Sequence, residues 1–299
     1  MDANSRHAPV LLQETLQALS LRSGDTVVDV TVGLGGHSAA FLTIIGEKGH
    51  LIALDADAEN LADAKKHLEN LPGEKTFYHS NFAMLSELSL PPCDVLFADL
   101  GLSSPHLDDP ERGFSFRFDA PLDLRFDRES GETVAEFIAR SSPEELQKVL
   151  SEFGEIRPAR KLAAEIAESK PETTTALSEC VERIYGFRAK GVRPQVFQAF
   201  RIAINDELGA LASLLQYGPY LLKEEGKMAV ISFHSLEDRM VKRAFRALST
   251  PEIDDRTGAI SQPASFILPS RKAIKPSEEE ISHNPRARSA RLRILQKAM

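Results

Sequence analysis

Four short, almost continuously apolar runs punctuate the first hundred positions: Thr26–Val30, Leu51–Leu54, Thr76–Tyr78 and Val95–Ala98. Runs of this length without polar alternation suit strands buried on both faces of a parallel sheet. The stretches between them place apolar residues at helical spacing, most clearly Leu61, Ala64, Leu68 and Leu71 within Ala58–Leu71. One stripe then faces a core and the rest faces water. Strand and helix in strict alternation predict an α/β protein with a doubly wound, Rossmann-like sheet.

Past Asp99 the rhythm breaks. A segment rich in Gly, Pro, Ser, Asp and Phe runs from Gly101 to Gly131 without a period and is expected to be a functional loop. Helical stretches follow with no strand between them: Val134–Ala139, Pro143–Phe153, Pro158–Ser169 and Thr175–Tyr185. Ser142 before Pro143 supplies an N-cap with proline at the first helical position. Strand character returns only at Lys227–Phe233, after a long helix around Asn205–Leu222, and again in SARLRILQK, where Arg291 and Arg293 give one basic face. The expected division is a core in two parts, 1–108 and 205–299, interrupted by an all-helical, substrate-recognising insertion at 109–204.

Composition changes this picture in two places. No apolar stretch approaches the roughly 20 residues that span a bilayer, and the N-terminus lacks the features of a signal peptide. With only Cys93 and Cys180 there is no disulfide framework, so a cytoplasmic protein without a membrane partner is expected. The net charge of -8 argues against a nucleic-acid partner, but its distribution argues the other way. From Arg271 to Met299 eight Lys/Arg face three acids, and Arg183–Arg201 holds five Lys/Arg and no acid, interleaved with Tyr185, Phe187, Phe197 and Phe200. Such basic stripes can bind phosphates.

The candidate chemistry starts at Gly33-Leu34-Gly35-Gly36, which follows the first strand and opens a helix. There the chain must turn tightly and let a ligand approach its backbone. Asp55 ends the second strand about 20 residues on, where an acid accepts ribose hydroxyls in dinucleotide folds. Nicotinamide dinucleotides and S-adenosyl-L-methionine share that geometry. Two features favour the second: Asp29 within the first strand, suited to a methionine moiety, and the basic C-terminal strand, suited to the antiparallel last strand of a methyltransferase sheet. Phe82, just after the third strand, is placed either to pack on adenine or to fill the core.

Over almost its full length the chain resembles the RsmH (MraW) family of ribosomal small-subunit RNA methyltransferases. The resemblance rests on HAPVLL (His7–Leu12), DVTVGLGGHS (Asp29–Ser38), DLGLSSPHLDDPERGFSF (Asp99–Phe116), APLDLR (Ala120–Arg125), RPQVFQAFRIAINDEL (Arg193–Leu208), ISFHSLEDRMVKR (Ile231–Arg243) and NPRARSARLR (Asn284–Arg293). It implies a class I methyltransferase sheet with a helical insertion. It also implies an S-adenosyl-L-methionine site at Gly35, Gly36, His37, Asp55, Phe82, Asp99 and position 106, to which the turn itself adds Gly33. The family commonly has Gln at 106; His106 stands there instead and would make the contact pH-dependent. The implied reaction is methylation of the exocyclic N4 amine of a cytidine in the decoding centre of 16S rRNA, within the small ribosomal subunit. Monomer and homodimer both remain open.

An exocyclic cytosine amine shares its lone pair with the ring, so an enzyme must hold it in line and accept its hydrogens. Asp99 is expected to do this at the end of the fourth strand, with Ser104 and the Pro105 carbonyl nearby and His234 as a further candidate for the base or its proton. Ser235 with Asp238 reads as a capping box opening the next helix. Arg112, Phe114, Phe116, Arg117 and Arg125 are expected to clamp an extruded base. Arg188, Lys190, Arg193 and Arg201, with Arg286, Arg288, Arg291 and Arg293, are expected to meet phosphates. His50, His67, His79 and His283 show no metal-ligand spacing. An oxidoreductase predicts NADH binding; an assembly factor predicts RNA affinity without methyl transfer.

Overall fold

The computed structural model describes residues 9–299 except Asp255 and Gly258, together with all side chains in that range but those of Ser104 and Leu107. His7 and Ala8, at the head of the first matching motif, therefore lie outside the described residues. The chain divides into two compact units, one formed by residues 1–101 and 209–299 and the other by 102–208. The helical unit thus also takes in 102–108 and 205–208, which had been expected in the core.

The first unit is built on β1 (Thr26–Asp29), β2 (His50–Asp55), β3 (Glu74–His79), β4 (Cys93–Asp99), β5 (Leu222–Ser232), β8 (Phe266–Ile267) and β9 (Arg291–Lys297). Their order is β3-β2-β1-β4-β5-β9-β8. The first five are parallel, whereas β9 runs antiparallel to β5 from Lys227↔Gln296 to Ser232↔Arg291. Strands β6 (Glu252–Ile253) and β7 (Ile260–Gln262) form a separate ribbon. This is a doubly wound α/β sheet, and the order reverses between β1 and β4, where ligands bind at the carboxyl ends of the strands.

The continuous apolar runs form these strands because both faces are covered. Val27, Leu51, Val95 and Ile231 pack in one cluster with Phe41, Leu42 and Ile45 of α2 (Gly36–Ile45). Val28, Ile52, Leu96 and Val230 join a second cluster with Leu211 and Leu214. Each fully buried side chain of this kind stabilises the fold by about 1.5–3 kcal/mol. Helix α1 (Leu12–Leu19) ends where Lys227 Nζ donates to the carbonyls of Ala18 and Leu19 at 2.8 and 3.1 Å. That meets the bare carbonyls of a helix end with a cation, as its dipole favours. Helix α3 (Ala58–Leu68) starts at Asp57, whose carboxylate accepts from Glu59 N. It stops three residues short of the expected Leu71.

The second unit contains α4 (Ser104–Asp108), α5 (Val134–Arg140), α6 (Pro143–Glu152), α7 (Arg160–Ser169), α8 (Thr174–Tyr185) and α9 (Ala189–Asn205). Thr133 with Glu136 and Ser142 with Glu145 form reciprocal caps on α5 and α6. Its own core includes Val134, Ile138, Leu150, Leu162, Ile166, Leu177, Val181 and Phe200. Helix α9 was not foreseen, since Gly191 and Pro194 interrupt its pattern, yet Val196, Phe197, Ala199 and Phe200 are buried along it. The expected long helix after it is α10 (Glu207–Tyr217), which breaks at Gly218-Pro219. Strand β5 then begins at Leu222 rather than Lys227. Helices α11 (Ser235–Leu248) and α12 (Glu278–His283) belong to the first unit.

Candidate functional site

The turn after β1 is closed by Gly35 N donating to the Val32 carbonyl at 2.7 Å, with Gly33 at φ 51° and Gly35 at φ 85°. Both angles lie in the left-handed region that glycine enters without strain. At Gly36 a Cβ would come within 2.6 Å of Pro9 Cγ, so the close packing of the chain there also demands glycine. Gly33 N donates to Asp55 Oδ2 and Asp57 N to Asp55 Oδ1, both at 2.8 Å. Asp55 therefore ties the glycine turn to the end of β2. Phe82 follows β3 in a short 3-10 turn and is half-buried.

Three carboxylates collect at the ends of β1, β2 and β4. Asp29 accepts from Ser38 Oγ at 2.6 Å and Thr31 N at 3.1 Å, and burial pushes its carboxyl up to about 7 against those two donors, with Asp55 adding to the rise. Burial raises Asp55 to about 6, opposed by the Asp57 and Gly33 N–H groups. Asp99 is raised to about 7 by burial, opposed by Gly101 N–H and reinforced by the charges of Asp29 and Glu237. Its side chain keeps 23% exposure, and its backbone N donates to Thr31 Oγ1 at 2.6 Å. Sequence reasoning missed Thr31, Ser38 and Glu237. The signal for the first two was their place, two residues after Asp29 and two after Gly36.

Desolvation raises all three acids, so a positive ligand beside them would favour their ionised forms. S-adenosyl-L-methionine carries a sulfonium and an ammonium. The residues present fit it. Gly33, Gly35, Gly36 and the backbone of His37 would line it, Asp55 would take its ribose hydroxyls, and Asp29 and Asp99 would face its charges.

Other candidates have structural occupations. His234 is the N-cap of α11: Nδ1 accepts from Glu237 N at 3.4 Å, and Nε2 faces Glu237 Oε1 at 3.1 Å. Glu237 Oε2 in turn accepts from Phe233 N at 2.8 Å. The capping pair is thus His234 with Glu237, one residue earlier than Ser235 with Asp238, and both ring nitrogens are turned to it. Asp238 instead takes Arg293, at 2.7 and 3.1 Å. The Pro105 carbonyl accepts from Asp109 N at 2.9 Å within its own short helix, so it is engaged locally. The side chain of Ser104 lies outside the described residues.

In the helical unit His106 is buried, its ring stacked on Phe114 at 5.0 Å and tilted against Phe126 at 5.2 Å. Nδ1 accepts from Ser103 N at 3.3 Å, closing the cap of α4. Arg112 is buried and donates to the carbonyls of Arg125 and Phe126 at 3.3 and 2.9 Å. Arg125 forks onto Asp123 at 2.7 and 3.0 Å. The expected clamp of Arg112, Phe114 and Arg125 is therefore engaged within the unit: the buried Arg112 binds carbonyls, the half-buried Arg125 binds Asp123, and the Phe114 ring lies in the core. Arg193 pairs with Glu182 and Arg201 with Glu207. Arg117, Arg188 and Lys190 are exposed, as are Phe116, which lies 5.6 Å beneath the Arg193 guanidinium, and Phe187, beneath that of Arg188. In the first unit Arg286 and Arg288 are exposed on a 3-10 turn and Arg291 is half-buried at the start of β9. No helix among the described residues is long and apolar enough to cross a membrane.

The chain is 44% identical over 294 residues to a ribosomal RNA small subunit methyltransferase H from a Cyanothece species, covering 97% of this chain and 94% of the relative. It is 42% identical over 309 residues to the protein of the same name from Thermomicrobium roseum, covering 98% and 94%. Among solved structures it is similar to an rRNA methylase from Streptococcus thermophilus, with a TM-score of 0.42 and 11% identity over 98% of this chain and 99% of the other. Residues 4–298 match the model of the MraW methylase family. The chain belongs to that family and is an S-adenosyl-L-methionine-dependent methyltransferase.

Proposed function

We propose that this chain transfers a methyl group from S-adenosyl-L-methionine to the exocyclic N4 amine of a cytidine in the decoding centre of 16S rRNA, acting in the cytoplasm on the small ribosomal subunit. The observation that carries the reading is Asp99, a partly exposed carboxylate at the switch point whose carboxyl is raised to about 7. The names of the relatives support the RNA.

Bound S-adenosyl-L-methionine supplies an electrophilic methyl group on a positively charged sulfur. The backbone of Gly33, Gly35, Gly36 and His37, with Asp55 and Phe82, binds and orients it. Asp99 accepts a hydrogen bond from the amine, which favours a pyramidal nitrogen with an available lone pair. It then takes the proton that the nitrogen sheds as the new C–N bond forms and the methyl's C–S bond breaks, leaving a neutral thioether. A carboxylate placed to accept that proton contributes about 10²–10⁴ in rate. Arg117, Arg188, Lys190, Arg286, Arg288 and Arg291 contact phosphates.

The test incubates the protein with radiolabelled S-adenosyl-L-methionine and small subunits from cells lacking this methylation, then maps the label by nuclease digestion and mass spectrometry. N4-methylcytidine at one decoding-centre position is expected. Label on another base or atom overturns the acceptor, and subunits that bind without label point to an assembly factor.

A further inference from the structure

His37 is the second residue of α2, and its ring is buried against Phe97 at 4.6 Å and Phe41 at 6.0 Å between centroids, with 6% exposure. Neither ring nitrogen makes a hydrogen bond of ordinary geometry among the described residues. Nε2 stands 3.6 Å from Asp99 Oδ2. A buried polar atom left unpaired costs about 1–3 kcal/mol, so such an atom beside a reactive carboxylate asks for a role.

We infer that His37 is a positioning residue for Asp99: its neutral imidazole donates from Nε2 to Oδ2, while Gly101 N–H holds Oδ1 at 3.3 Å, and together they aim the carboxylate at the substrate amine. The inference rests on the reading of Asp99 as proton acceptor. Burial pulls the imidazole down to about 3, so the ring is uncharged at neutral pH and carries a single N–H; donation to Asp99 needs that N–H on Nε2 rather than turned to the Val10 backbone. Its place at a helix N-terminus disfavours charge as well. Neutrality matters here. An imidazolium would form an ion pair and make Asp99 a poorer base, whereas a neutral donor orients the carboxylate and leaves most of its basicity. Among the described residues Asp29 on β1 and Glu237 on α11 also act on Asp99, both acidic, so neither can replace the donor. A gap of 3.6 Å is longer than a hydrogen bond, and such gaps in ligand-free sites tighten in the reacting complex. The aromatic contacts leave the ring edge directed at the carboxylate while fixing its faces.

The test measures single-turnover methyl transfer to small subunits against pH at saturating S-adenosyl-L-methionine, with the cofactor Kd from calorimetry. Wild type is compared with H37F, H37Q, D99N and the H37F/D99N double variant. H37F should lower the rate by about 10-fold or more and leave the Kd unchanged. It should also move the acid limb of the profile to higher pH, because a carboxylate that loses a donor holds its proton more tightly. H37Q, whose amide N–H can reach Oδ2, should restore part of the rate, and H37F/D99N should be no slower than D99N. Should H37F not fold, His37→Asn, too short to reach Oδ2, replaces it in the same comparison. An unmoved acid limb, or a loss carried entirely by the cofactor Kd, overturns the inference. D99N at full rate overturns the reading of Asp99 and the inference with it; a slow D99N beside a normal H37F overturns the role of His37 alone.

Discussion

In the helical unit several charges meet their opposites. Arg183 lies 2.6 Å from Glu165, Arg125 2.7 Å from Asp123 and Arg201 2.7 Å from Glu207, and the buried Arg112 binds two carbonyls. In the core, Asp29, Asp55 and Asp99 share one sheet edge and are bonded to hydroxyl and backbone N–H donors, with carboxyls raised to about 7, 6 and 7. Paired charge serves architecture. Desolvated acids without a cation are costly to the fold and are an arrangement that a cationic ligand completes.

The sharpest way to break that contrast is to remove one member of each set. Asp55→Ala should weaken S-adenosyl-L-methionine binding by about 10–100-fold, the worth of one or two hydrogen bonds to a charged group, with the folded protein retained; calorimetry reads it, and an unchanged Kd removes Asp55 from the cofactor site. Arg112→Met should instead destabilise the protein by about 2–3 kcal/mol in a denaturant titration, since two carbonyls lose a charged donor. If it alters RNA affinity and not stability, the interior assignment of Arg112 is wrong.

A smaller effect follows from protons. The three acids bind protons to higher pH when folded than the ordinary 3.8 of an unfolded chain. Their contribution to stability is therefore complete below about 4 and is lost as pH rises through about 6 to 7. A cationic cofactor favours the ionised form, so saturating S-adenosyl-L-methionine should raise the Tm more at pH 8 than at pH 5.5. An increment independent of pH would show that these acids do not face the cofactor's charge. The smallest effect is at the surface. Arg117→Ala, Arg188→Ala and Lys190→Ala should each lower the salt dependence of RNA binding by about 0.7–0.9 in logarithmic slope and leave the Tm alone.

Much of this was legible in the chain because the core obeys local rules. Short apolar runs marked β1 to β4 to within two residues at either end, and the glycines, Asp55 and Asp99 fell at strand ends, where a doubly wound sheet puts its ligands. What escaped depends on contacts remote in sequence. The role of Arg112 is set by carbonyls more than ten residues away, and His106 looks like a ligand until Phe114 and Phe126 close on it. Helix α9 was hidden by Gly191 and Pro194, local breakers overridden by the burial of Phe197 and Phe200. The early start of β5 was hidden by its charged run Lys223-Glu224-Glu225, exposed beyond the paired core of the strand.

The antiparallel pairing of β9 with β5 bears on the order in which the protein comes into being. The helical unit is one unbroken stretch, 102–208, with its own hydrophobic centre. The sheet is complete only when Arg291–Lys297 joins it, the last of its strands in chain order. During synthesis the helices can pack while β5 still presents an unpaired edge, open to mispairing with other chains. The part of the molecule built on that sheet is the part that must wait for its final strand.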